Sequence, residues 1–398
     1  MFRVPTITSP AGYKLIAGAM SGVYTIGGPS GARNYASFTT AIADLIAVGL
    51  AGPVTFNVAA GTYPQVTIPN NVITNASAIN TITFDGINPS SRAIEANVTS
   101  QAALLLNGCK YYTFKNFTVR NISTNGCSGV GIVGTTTTNA GSSNTIKNCN
   151  ILLPNVGTNT SYGICVSSSA NGYGTGATAI DSITLDSNIV TGGGTNGIYY
   201  GYVIYGNQSA SYNRGIVVTN NVLTLGYYMG FYMPYIYNAA KFHYNTVNMN
   251  TTYGYYGMYN YYHQNSSTTS SIEYIGNIVR NFGGYGMYLY HNGSAGTSTA
   301  PLKIYNNVVD NGTSSYGGYY GIYLYNTGYT DFYNNNIRMT YAAASTSYCC
   351  LYSAGSSFGF FKNNIFVRES TGGTGTTAYF GTSPATGNVN YNLYYNMA

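Results

Sequence analysis

The chain has 398 residues, of which 44 are Tyr and 50 are Gly, with no Trp and only 6% charged. Its net charge of +6 is spread without a run of Lys or Arg, which argues against a nucleic-acid-binding stripe. No apolar run approaches the ~20 residues of a membrane span, and the six cysteines form no C-x-x-C, so no zinc pattern is present.

In chain order, Met1-Phe2-Arg3-Val4-Pro5 lacks the basic and apolar regions of a signal peptide. Ser37 to about Val48 reads as a short amphipathic helix, with Phe38, Ile42 and Leu45 on one face, Ser37 as N-cap and Gly49 as stop. Residues 54–58 and 66–68 alternate as half-buried strands. The helix is expected to cap the first exposed strand edge of the repeat region. The division is an N-terminal segment over 1–52 and a repeat region over 53–398.

Two phrases recur in the repeat region. The first is Gly-(Ile/Met)-Tyr-x-Tyr, at Gly257–Tyr261, Gly286–Tyr290 and Gly321–Tyr325, with weaker copies at Gly163-Ile164-Cys165, Gly197-Ile198-Tyr199, Gly230-Phe231-Tyr232 and Ala378-Tyr379-Phe380. The second is an apolar residue followed by Asn and Ile or Val, with marker Asn residues at 150, 188, 221, 245, 277, 307, 336 and 364. A variable period of about 30 residues suits a coil of three short strands joined by turns of unequal length. Asn tolerates the left-handed conformation of a tight bend, and stacked Asn side chains can hydrogen-bond along the coils. The stretch Ser167–Gly174 reads as a protruding loop. Eleven or twelve coils of ~4.8 Å give a rod about 55 Å long.

These pieces, together with Gly52–Tyr63 and Thr81–Gly86, resemble the right-handed parallel β-helix proteins of the pectate-lyase superfamily, and in particular large secreted surface proteins of Bacteroidota. The resemblance implies an all-β, right-handed parallel β-helix solenoid with a short N-terminal capping helix. It also implies export, an extracellular or cell-surface location and a parent chain longer than this one. Asp181-Ser182-Ile183 is similar to the O-glycosylation motif of that phylum. For activity the resemblance is silent, because the family mixes lyases, hydrolases, adhesins and structural rods.

The catalytic patterns of the superfamily are absent. The nine carboxylates include no Asp-Asp pair, and neither Gly-His-Gly nor Arg-x-Lys occurs. Lys147 and Asp186 fall on neighbouring rungs as an ordinary ion pair, as do Arg280 and Asp310. His263 and His291 fall at similar offsets and can stack, but two histidines without a third ligand do not make a metal site. Cys349 and Cys350, adjacent in a strand, should face opposite ways. No catalytic residue, metal or cofactor is assigned.

Alternation instead turns Ile322 and Leu324 inward and Tyr323 and Tyr325 outward. The outward column reads Cys165, Tyr199, Tyr232, Tyr259, Tyr288, Tyr323 and Tyr379, beside a second of Tyr261, Tyr290 and Tyr325. The expected function is a non-enzymatic extracellular rod whose tyrosine ladders bind protein, either its own kind or another surface chain, with no nucleic acid and no membrane insertion. The alternative is a carbohydrate-active β-helix, a lyase, hydrolase or glycan-binding module.

Overall fold

The computed structural model describes residues 18–29, 33–70, 72–134, 136, 140–154, 160–169, 179–194, 196–206, 212–291, 295–312, 314, 319–340, 349–369, 377–381 and 388–397. Most of the loop expected over residues 167–174 falls outside this set. The chain coils into a parallel β-solenoid, the all-β architecture expected from the repeat. Each coil lays its strands on three parallel sheets. Sheet I runs from Met20–Ile26 and Leu50–Val58 to Val389–Asn390. Sheet II runs from Gly61–Tyr63 to Leu393–Met397. Sheet III runs from Val66–Ile68 to Ala378–Phe380 and holds eleven strands or strand portions, one per coil. At ~4.8 Å per coil, sheet III is about 50 Å long.

The helix spans Phe38–Val48, with Ser37 and Thr40 forming a reciprocal capping box and Gly49 closing it at φ 66°. Phe38 packs against Tyr63, Phe84 and Phe117, so the helix closes the end of the core. The first edge of sheet I is covered differently from expectation. Strand Met20–Ile26 pairs with Leu50–Val58 and also with Asn34–Tyr35.

The core is built from columns of like side chains. Phe56, Phe84 and Phe114 stack at 4.9 and 4.8 Å on sheet I, and Phe242 stacks on Tyr274 at 4.9 Å. Sheet II contributes Val190, Val247, Val279, Val309 and Ile337, all fully buried or nearly so. These aliphatics explain the glycine of the first phrase. Gly163, Gly201, Gly230, Gly257, Gly286 and Gly321 form a spine along sheet III. A Cβ on any of them would strike both the next coil's carbonyl and a methyl of the facing sheet II residue, such as Val279 for Gly257 and Val309 for Gly286. Space, rather than a left-handed backbone, demands glycine here. In the coil after Gly321 the spine position passes to Cys350, whose thiol donates to the Val367 carbonyl at 3.3 Å.

The second phrase holds two asparagines with two jobs. The first turns the corner between sheets I and II in the left-handed region, as at Asn220 (φ 57°), Asn306 (φ 56°), Asn334 (φ 57°) and Asn363 (φ 56°). The second points inward. Asn188, Asn221, Asn245, Asn277, Asn307, Asn335 and Asn364 are fully buried, and the row continues to Asn392. The Oδ1 of each later member accepts both the backbone N–H and the Nδ2 of the one before. Asn277 Oδ1 does so for Asn245 at 3.1 and 3.0 Å. Each Nδ2 also donates to a carbonyl of the preceding coil, as Asn277 does to Phe242 at 2.7 Å. Two of the expected markers were off by one residue. Asn150 follows Cys149, which holds the ladder position and donates its N–H to Asn188 Oδ1. Asn336 is exposed on sheet II, and Asn335 is the ladder member.

Candidate functional site: an uncharged tyrosine sheet

Charge is partitioned among the three sheets. No described strand portion on sheet III carries Asp, Glu, Lys, Arg or His; the early coils read VTI, AALLLN and SGVGIV, and later ones YGMYNY, YGMYLY and YGIYLY. Sheets I and II hold the charges, and many of these pair from rung to rung. On sheet I the pairs are Asp85–Lys115 at 3.0 Å, Lys147–Asp186 at 2.9 Å and Glu273–Lys303 at 2.9 Å. On sheet II they are Glu95–Arg120 at 2.7 Å and Arg338–Glu369 at 2.8 Å. His243 Nε2 at 3.0 Å and the Lys303 ammonium at 2.9 Å hold the Glu273 carboxyl down at about 2 against the opposing effect of burial.

From the Tyr162 coil onward the outer face of sheet III is lined by three columns rich in tyrosine. Strand register carries the main column through Cys165, Val203, Tyr232, Tyr259, Tyr288, Tyr323, Tyr352 and Tyr379. Tyr261, Tyr290 and Tyr325 form the second, as expected. A third holds Tyr162, Tyr200, Met229, Tyr256, Tyr285 and Tyr320, then ends on Cys349. Two readings of the main column change. Tyr199 is not a member; a register shift in its strand gives its coil's position to Val203, and its ring packs on Tyr227 and Tyr228 at 5.3 and 5.2 Å. Tyr352 fills the gap between Tyr323 and Tyr379. The third column was missed altogether, although its residues directly precede the glycine of the phrase.

From Tyr259 onward the main column is a continuous stack. Ring centroids are 4.7 Å apart for Tyr259–Tyr288, 4.9 Å for Tyr288–Tyr323, 4.8 Å for Tyr323–Tyr352 and 4.9 Å for Tyr352–Tyr379, with planes within 12° of parallel. Tyr290 and Tyr325 stack at 5.0 Å and 1° beside it. Each inner ring therefore has both faces against neighbours. What projects outward is a line of ring edges and phenol hydroxyls. Burial pushes the Tyr259 phenol up to about 12, with neighbouring tyrosines adding to the effect, and raises Tyr288 and Tyr323 as well. The hydroxyls are neutral at physiological pH and can donate or accept.

Exposure changes along the sheet. Cys165 and Val203 are 0% exposed and Tyr232 is 8%. Tyr259, Tyr261, Tyr288, Tyr290, Tyr323, Tyr325 and Tyr352 are half-buried, and Tyr379 reaches 46%. In the covered coils the chain folds back over its own sheet: Cys165 Sγ donates to the Ser169 carbonyl at 3.6 Å, and Tyr205 packs on Tyr232 at 5.8 Å.

The remaining candidates resolve as structure. Arg280 and Asp310 share a register position as expected, but the Asp310 carboxylate pairs with Arg338 on the following coil at 3.5 Å. On sheet I the outward position after Tyr305 is Tyr333. The carboxyls that burial raises, Asp181 and Asp331, lie about five coils apart, roughly 24 Å, beyond the ~5–10 Å of a glycosidase pair. His263 and His291 do stack, at 4.9 Å and 20°, inside the core. His263 Nδ1 meets the Tyr274 hydroxyl at 2.9 Å and its Nε2 meets the Met233 carbonyl. Desolvation depresses His263 to about 4 and also holds His291 well below the ordinary histidine range. Among the described residues no group of three potential metal ligands comes together. All six cysteines are buried thiols, with Cys349 on the outer face and Cys350 inward. No helix among the described residues is long and apolar enough to cross a membrane.

No protein-family model matches the chain, and no curated protein matches it in sequence. Solved structures resemble it in shape. The mannuronan C-5 epimerase A-module of Azotobacter vinelandii is 12% identical with a TM-score of 0.46, over 90% of this chain and 94% of that one. The GH136 lacto-N-biosidase of Eubacterium ramulus is 9% identical with a TM-score of 0.48, over 94% of this chain and 68% of that one. The Dettilon tailspike protein is 12% identical with a TM-score of 0.42, over 86% and 64%. These likenesses concern the fold and carry no activity to this chain.

Proposed function

We propose that this chain is a structural, non-catalytic solenoid rod of an extracellular or cell-surface assembly, and that the outer face of sheet III is its protein-contact surface. The observation that carries this reading is the partition of charge. Sheets I and II hold nearly all the strand charges, many in rung-to-rung pairs, while sheet III is uncharged over its described strands and tyrosine-rich from the Tyr162 coil onward. A surface that buries its aromatics in a partner and avoids charge has the composition of an interface core.

The stacking geometry weighs against the glycan alternative. Sugars dock on the open faces of aromatic rings, and here those faces are taken by neighbouring tyrosines less than 5 Å away. The edges and hydroxyls that remain suit hydrogen bonding and packing against polypeptide. The ion-paired carboxylates likewise offer no poised acid and base. Two experiments test the reading. A photo-activatable cross-linker placed at Tyr325 should join the chain to polypeptide in native cell-envelope preparations. Incubation with uronic-acid and neutral polysaccharides should release no product. Labelled glycan in the first, or turnover lost in Asp331→Asn in the second, would overturn it.

A further inference from the structure

Resting on that reading, we infer that the open half of sheet III, from the Tyr256 coil to the Tyr379 coil, is an interface for a second copy of this chain, with the two rods side by side and their axes aligned. Three observations select this partner.

The first is periodicity. Phenol edges repeat along the strip at the coil spacing, 4.7–4.9 Å between rings over four successive steps. A partner that matches every hydroxyl must repeat at the same interval along the same axis. A surface with that repeat is another parallel solenoid, and the strip itself is one. Phenol hydroxyls both donate and accept, so two identical rows are complementary without any change of chemistry.

The second is charge. The strand portions 256–261, 285–290, 320–325, 349–354 and 378–380 contain no Asp, Glu, Lys, Arg or His. A basic or acidic partner would bury unpaired charge against them, which is costly. A second uncharged tyrosine strip buries none.

The third is continuity and size. In the coils just before it the same outer face is a finished core, with Cys165 and Val203 fully buried and Tyr162 and Tyr200 4% exposed. The open half continues the same columns with half-buried rings, so docking extends an existing packed layer. Its area is modest. Five coils at ~4.8 Å and six residues of strand at ~3.3 Å give a patch of about 24 by 20 Å, roughly 480 Å² per copy. Two copies would bury about 1,000 Å², just under the ~1,200 Å² at which standard specific interfaces begin. The pairing is therefore a weak, reversible dimer on its own, strengthened where many chains are held together.

Sedimentation velocity on the whole chain from about 1 μM to about 0.5 mM spans the affinity range of such an interface. The wild type should shift from monomer to dimer across it, and the midpoint should move by less than about twofold between low and high salt, because no charges meet. Tyr288→Lys with Tyr323→Lys should remain monomeric with an unchanged circular dichroism spectrum, whereas Asn336→Lys, on exposed sheet II, should dimerise normally. If the lysine pair proves unfolded, Tyr290→Glu alone serves as the second variant. A wild type that stays monomeric throughout, or a dimer that survives lysine or glutamate in the strip, would overturn the inference. If the monomer's Tyr325 cross-linker captures a different polypeptide, the contact surface stands and only the second-copy assignment fails.

Discussion

Sheet III carries two surfaces on one scaffold. Both halves share the glycine spine, the inward aliphatics and the register. From the Tyr162 coil to the Tyr232 coil the outward residues form a second core, and in the later half the equivalent residues are tyrosines open on one side. The difference comes from the connections after each strand, such as the segment that returns Ser169 to Cys165. Alternation within a strand decides where a side chain points. Whether it is covered depends on loops that obey no repeat. The same position along a solenoid can thus be core in one coil and open surface three coils later.

The comparison can be broken first by charge. Val203→Lys puts a lone ammonium into the covered layer and should cost about 4 kcal/mol or abolish folding, whereas Tyr288→Lys, whose head can reach water, should cost about 1 kcal/mol. Urea titrations that gave equal losses would erase the distinction between the halves. Below the outer layer the halves should behave alike. Asn221→Ala and Asn335→Ala each leave ladder partners unsatisfied and should each cost about 3 kcal/mol; a loss confined to one of them would show that the ladder, too, is divided.

Acid should sharpen the contrast. His263 titrates near 4 when folded against about 6.5 unfolded, so the unfolded chain binds the extra proton between those values. Stability is complete above about pH 6.5 and falls by up to about 3 kcal/mol as pH drops to 4. The buried histidines, His263 and His291, both lie in the open half. Hydrogen exchange at pH 4.5 should therefore accelerate over 256–291 before 128–133, and His263→Phe should reduce that difference. The smallest effect belongs to the ion pairs: Lys147→Ala should cost less than about 1 kcal/mol, since its side chain is half exposed, with thermal melting as the readout.

Much of this fold was legible because its rules are local. The Gly-x-Tyr-x-Tyr phrase displayed both the period and the inward and outward directions, and Ser37, Phe38 and Gly49 marked the helix ends. The Asn-Asn pair was legible as a bend but ambiguous by one residue, since Asn335 and Asn336 look alike until one is seen to face the core. Tyr352 escaped because Cys350 replaces the glycine that marks the phrase. Tyr199 was misplaced because Gly197 resembles the spine glycine, while Gly201 is the one pressed between coils. The charge partition was written in the sequence too, but could be read only once each strand had been assigned to its sheet.

The asparagine ladder bears on how such a chain changes over generations. Every member presents on one side the acceptor that it needs a donor for on the other. A coil inserted or removed as a unit leaves no amide without a mate, provided the insertion carries its own inward asparagine. The 24 to 33 residues between successive members show that the loops grow or shrink freely while this one residue holds its place. Rod length can then be reset by gene duplication in steps of a single coil, with the amide acting as the splice that makes each joint fit.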